Sequence, residues 1–237
     1  GYTVVYLPVD EYCLVSVDEL KKELTDDTIL VSVMAVNNEV GTIQPIAEIG
    51  KLCREKGIVF HTDAVQAIGH VSVDVSRDNI DMLSLSAHKF HGPKGVGVLF
   101  IDEKVKIQPI IHGGGQQKNL RSGTENVPGI AGIGLVAEII YKEFDTKMDK
   151  LYELKQYFVK ELLKIDNVSV NGLIGEGAGL SHSEIGTDLD SIKMTAPHVV
   201  SASIKGVRAE VMLHTLEDKG IYVSSGINSW PITPMIP

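Results

Sequence analysis

Short β-branched runs alternate with amphipathic segments along the first two thirds of the chain, a rhythm that predicts parallel strands joined by crossover helices. The strand candidates are residues 3–7, 29–36, 58–62, 82–86 and 97–101. Each is apolar at consecutive positions, which predicts a sheet covered on both faces. Helices fit between them: 17–24, with a charged outer face, and 45–56, which opens at Pro45 and stops at Gly57. After Gly113 the texture changes to a polar loop, GGGQQKNLRSGTEN, longer than a packing connection needs. Residues 128–163 then read as one long helix, with Ile133, Val136, Ile140 and Phe144 at three-to-four spacing. Residues 172–195 are rich in Gly, Ser and acidic side chains, have no period and read as mobile. A strand (199–204), a helix (207–218) and a strand (221–223) follow. The expected class is α/β, with a large, mostly parallel unit over 1–145 and a small α/β unit over 146–237. The chain opens on a strand pattern and ends in SSGINSWPITPMIP, so both units are expected to be partial.

Composition narrows the partners. Apolar residues make up 43% and charged residues 22% of 237, an ordinary globular balance. The net charge of −9 argues against a nucleic-acid or anionic-membrane partner, since both are bound by positive charge. Cys13 and Cys53 are too few for a disulfide framework or a thiolate metal site, and suggest a reducing, cytoplasmic compartment. No apolar run reaches membrane-span length, and the amino end carries no signal-peptide pattern.

The densest chemical cluster is SLSAHKFHGPKGVG, residues 84–97, in which Lys89 stands where a strand breaks into a glycine-rich turn. Desolvation there would lower its pKa from about 10.4 and make the amine a nucleophile toward an aldehyde. The plain alternative is a surface lysine, and Lys94, flanked by a proline and a glycine, suits a solvated turn. The second cluster is HTDAVQ, residues 61–66, at a strand's carboxyl end, where open α/β sheets keep their ligand crevice. Asp63 there wants a cationic partner, or else caps the following turn. His61 and Asp63 are expected on opposite strand faces, against a joint metal site. The third cluster, NNEVG (37–41), reads by itself as a turn. Three polar tips after successive strands form one site if the sheet is parallel.

Rival motifs fail. His112 with Gly113–Gly115 suggests an esterase oxyanion loop, but no G-x-S-x-G nucleophile turn exists. Gly175, Gly177 and Gly179 follow no buried strand, as a dinucleotide fingerprint would. His70, His91, His182, His198 and His214 lack partners at metal spacing and read as structural or exposed; no metal is expected.

Taken in order, NNEVG, HTDAVQ, SAHKFHGPKGVG, HGGG and RSGTEN resemble the pyridoxal-phosphate-dependent cysteine desulfurases of group I, the NifS and IscS type, from about residue 3 to Gly226. The resemblance implies PLP fold type I, with a partial large cofactor domain and a partial small domain. It implies that Lys89 is the Schiff-base lysine, that Asp63 pairs with the pyridine nitrogen and that Gln66 reaches the cofactor's phenolic oxygen. Ser86 and His88 would bind phosphate beside the lysine, with His88 also catalytic, and Asn38 would lie near the substrate carboxylate. Thr124 would serve the phosphate of a neighbouring subunit in a homodimer. The implied reaction converts L-cysteine to L-alanine and passes sulfur to an acceptor or scaffold protein in iron–sulfur assembly. In the family a mobile-loop cysteine follows VSSG; here Ser229 takes that place, and a hydroxyl cannot hold a persulfide. The family's glycine- and threonine-rich phosphate turn, its stacking histidine and its carboxylate-binding arginine fall outside the chain. The expectation is therefore a desulfurase by family that is inactive as this chain. The alternatives are a class V aminotransferase or other PLP lyase, and a non-catalytic interaction module.

Overall fold

The structure is a computed structural model that describes residues 1–172 and 188–225. His182, the Gly175, Gly177 and Gly179 run and Ser229 lie outside the described residues. In chain order the elements are α1 (Val17–Glu23), β1 (Leu30–Met34), α2 (Ile46–Lys56), β2 (Val59–Asp63), β3 (Met82–Ser86), β4 (Gly97–Ile101), α3 (Val127–Tyr141), α4 (Phe144–Leu162), β5 (Val168–Asn171), α5 (Leu189–Ile192), β6 (Ser201–Ile204) and α6 (Ala209–Glu217). Local chemistry explains several ends. Ser16 caps α1 by accepting from the Glu19 N–H, and α2 stops at Gly57, whose φ of 69° suits glycine.

The larger sheet runs β1-β2-β3-β4, with the first three strands parallel. The fourth is the exception in the mostly parallel sheet that the pattern predicts, because β4 pairs antiparallel with β3. Residues 87–96 are too few for a crossover helix, which needs about a dozen residues or more. Residues 3–7 form no strand; Val4, Val5 and Tyr6 are exposed, and an isolated bridge pairs Val9 with Val15. Residues 221–223 also form no strand. The long helix is two helices, broken at Glu143, where φ of −134° leaves helical space. Residues 189–192, expected to lack structure, form α5.

Burial in β1 alternates along the strand, so the expectation of two covered faces is overturned for the described residues. One face packs Val31, Val33, Phe60 and Leu83 against Leu20 of α1 and Ile49, Leu52 and Cys53 of α2. The other carries Ser32, His61, Asp63, Ser84 and Ser86, and leaves Leu30, Met34 and Leu99 exposed. A second sheet pairs β5 with β6, antiparallel, beside a small core of Tyr152 and Val159 from α4 and Ile192 from α5.

Candidate active site

Because β1, β2 and β3 are parallel, their carboxyl ends open on one edge, and the three polar clusters leave from it. After β1, Asn37 Oδ1 accepts the N–H groups of Glu39 (2.9 Å) and Val40 (3.0 Å), which builds the turn read from sequence. Asn38 is displayed on that turn, exposed, with Nδ2 donating to Glu39 Oε1 at 2.8 Å.

Asp63 ends β2 with an exposed side chain whose Oδ1 accepts the Val65 N–H at 2.9 Å. One oxygen thus shapes the turn, and the carboxylate still faces solvent. His61 stands two residues earlier and shares Asp63's face, which corrects the expectation of opposite faces, since strand side chains repeat every second residue. Its ring is held by Ser32 Oγ at Nδ1 (2.8 Å) and Ser84 Oγ at Nε2 (2.9 Å), a ladder across three strands. Desolvation lowers the His61 pKa, while the Asp63 charge opposes that shift.

After β3 the chain enters a 3-10 turn, Ala87–Phe90, closed by His91 in the left-handed region. Ala87 and Phe90 pack inward against Ile133 and Ile140 of α3, so His88 and Lys89 are turned out. Ser86 Oγ lies 2.8 Å from His88 Nδ1. Lys89 is exposed among the described residues, where a buried amine was expected. Lys94 is exposed in its turn, as expected.

Gln66 sits in the turn after Asp63, and its Oε1 meets His198 Nε2 at 3.4 Å. His198 stacks on His70 with ring centroids 3.8 Å apart. Lys89 is close enough for its charge to lower the His198 pKa, after burial, His70 and Lys155. The structure thus brings Gln66 and His198 together, with Asp63, Ser86, His88 and Lys89 on the same edge. Thr124 stands apart, exposed in a loop whose hydrogen bonds run within itself, such as Gly123 N–H to Gln116 Oε1 at 2.9 Å.

Sequence reasoning missed three features. The serine–histidine ladder could have been read from polar residues at alternating strand positions. Lys155 is buried on α4, with Nζ donating to Thr195 Oγ1 (2.5 Å) and Ala196 O (2.7 Å), and burial pushes its pKa down to about 7. Its signal was its place in the series Met148, Tyr152, Lys155 and Val159, a core stripe at helical spacing. The contact of His198 with Gln66 spans 132 residues and has no local signal. Both thiols are poorly disposed to ionise: burial, then Asp10, raises Cys13, and burial, then Asp81, pushes Cys53 to about 11. Among the described residues no group of three or more His, Cys, Asp or Glu side chains could hold a metal ion, and no helix is long and apolar enough to cross a membrane.

The aminotransferase class-V family model matches residues 1–235. A cysteine desulfurase IscS of Clostridium botulinum is 47% identical over 227 residues, 95% of this chain and 53% of the relative. A solved NifS-like protein superposes with a TM-score of 0.84 at 37% identity, covering 95% of this chain and 57% of that one. A second, described as SspA in complex with cysteine, gives 0.72 at 29% identity, covering 97% and 58%. The chain spans about half the length of the curated relatives it matches. The chain thus belongs to the aminotransferase class-V family, whose members depend on pyridoxal phosphate, and the relatives it resembles include proteins named cysteine desulfurase.

Proposed function

We propose that this chain carries the cofactor site of a cysteine desulfurase, with L-cysteine as the substrate. The observation that carries the reading is the parallel β1-β2-β3 edge, which gathers a carboxylate, an amide, a hydroxyl–imidazole pair and a lysine. That donor set fits pyridoxal phosphate, which when bound supplies an electron sink for the substrate's α-carbon. Asp63, with its exposed carboxylate, would face the protonated ring nitrogen. Gln66 would hydrogen-bond the ring oxygen, and Ser86 and His88 would hold the phosphate. Lys89 would supply the amine that faces the aldehyde carbon. With Nδ1 of His88 engaged by Ser86, its Nε2 is the atom at which that ring holds or moves a proton. Asn38 meets the substrate carboxylate, and Thr124 serves the site of a second copy in a homodimer. The structural neighbour solved with cysteine supports the choice of amino acid.

Sulfur transfer needs a thiolate, and the chain offers none at the site. Cys53 is buried in α2, Cys13 has its thiol raised, and Ser229 occupies the position the family resemblance gives to the loop cysteine. The chain by itself therefore binds cofactor without desulfurating cysteine, and delivery to an acceptor or scaffold protein needs a thiol from elsewhere. Absorbance titration with pyridoxal phosphate, borohydride reduction and peptide mapping should label Lys89; label on Lys94 overturns the assignment. Sulfide from L-cysteine should stay at the level of free pyridoxal phosphate. Release clearly above that level and lost in Lys89→Ala overturns the inactivity.

A further inference from the structure

The two ends of a glutamine amide read a ligand in opposite senses, Oε1 accepting and NH2 donating, so the orientation of Gln66 decides what it can bind. Its Oε1 faces His198 Nε2 at 3.4 Å. His198 does not arrive from the cofactor-bearing sheet; it comes on the segment between α5 and β6, which is pinned in place. The Ala196 N–H donates to Gly41 O at 2.8 Å, and Thr195 bridges Thr42. Lys155 of α4 donates to Thr195 Oγ1 and Ala196 O. The close approach needs glycine at position 41, where φ is +81° and a Cβ would lie 3.0 Å from Val199 Cβ. The His70 stack then fixes the plane of the ring, the two planes 29° apart.

We infer that His198 is a positioning residue for Gln66, donating from Nε2–H to Oε1 and thereby leaving the amide NH2 as the donor presented to the sheet edge. A neutral imidazole carries one N–H, so this arrangement selects a tautomer. His198 is exposed at the surface, and partial desolvation together with the neighbouring His70, Lys155 and Lys89 lowers its pKa below the usual histidine range. The inference deepens the reading of Gln66 as the residue facing the cofactor's ring oxygen, and rests on it for its functional consequence. An NH2 is the correct partner for an anionic oxygen; a flipped amide would set two acceptors against each other.

The test uses the full chain and two variants. His198→Phe keeps an aromatic ring to stack on His70 but removes the donor, while His198→Gln restores a donor near the place of Nε2. Without pyridoxal phosphate, nitrogen-15 NMR should show His198 protonated at Nε2. The Gln66 side-chain amide resonances should move in His198→Phe and return toward wild type in His198→Gln. A tautomer protonated at Nδ1, or a Gln66 amide unmoved in His198→Phe, overturns the inference. Titration with pyridoxal phosphate should then show about fivefold weaker binding for His198→Phe and near-normal binding for His198→Gln, the scale of one hydrogen bond. Equal binding by wild type and His198→Phe overturns the positioning role. A wild-type chain that does not bind pyridoxal phosphate counts against the proposed function instead, and the NMR result still decides how Gln66 is held.

Discussion

On one face of the large sheet Val31, Val33, Phe60 and Leu83 are sealed under α1 and α2; one residue along each strand, Ser32, His61 and Ser84 form a hydrogen-bonded ladder open to solvent. The same strands serve both, because strand side chains alternate. The sealed face is where burial of apolar area holds the strands in register. The open face contributes little apolar burial, and its polar groups stay free to meet a ligand at the strand ends. The edge at Asp63 and Lys89 borrows its geometry from the core behind it, and its chemistry from residues that the core leaves exposed.

The largest effect should come from the sealed face. Phe60 is fully buried, so Phe60→Ala should remove about 3–5 kcal/mol of stability in chemical denaturation. A loss below about 1 kcal/mol would show that this face is not the core. Lys155 sharpens the comparison, as a titratable group buried as deeply as the apolar core. Its pKa falls from the ordinary 10.5 to about 7 through burial. Between those values the unfolded chain binds a proton that the folded chain does not, so stability should rise with pH across that window and lose this contribution as pH falls to 7. The difference in stability between wild type and Lys155→Met should therefore change by on the order of 2–4 kcal/mol between pH 7 and pH 10. Parallel pH profiles for the two proteins would show that Lys155 is solvated.

The residues of the edge were legible because each stands in a short motif at a strand end: Asp63 and Gln66 in HTDAVQ, Lys89 in SAHKF. Strand identity was legible for the same reason, from apolar runs of four or five residues. What failed was what depends on neighbours. The antiparallel β4 was signalled by a connection too short for a crossover, but its apolar pattern is the same in either direction. The run at residues 3–7 has strand composition and no strand to pair with. A helical period continues across Glu143 although the backbone does not. Lys89 looked desolvated because the sheet was expected to be covered on both faces, and cover is a property of packing rather than of the strand. His198 is exposed, as read, but its contact with Gln66 spans 132 residues, where no local pattern reaches.

The smallest effect should come from rewriting the open face. Asp63→Asn removes a charge while keeping an oxygen able to accept the Val65 N–H, and the side chain is exposed, so stability at neutral pH should change by less than about 0.5 kcal/mol. Its neighbour should report the change instead. Desolvation holds the His61 pKa below the ordinary 6.5, and the Asp63 charge raises it against that trend. Removing the charge should lower the His61 pKa further, as read from its ring resonances across a pH series. The sign for stability follows from linkage. A histidine depressed in the folded state leaves the unfolded chain with the extra proton between the depressed value and 6.5, so stability falls as pH drops through that window. Asp63→Asn should extend that fall to lower pH. A His61 pKa that rises in Asp63→Asn would mean that the two side chains do not share a face, and would break the division between a sealed face that carries stability and an open face that carries charge.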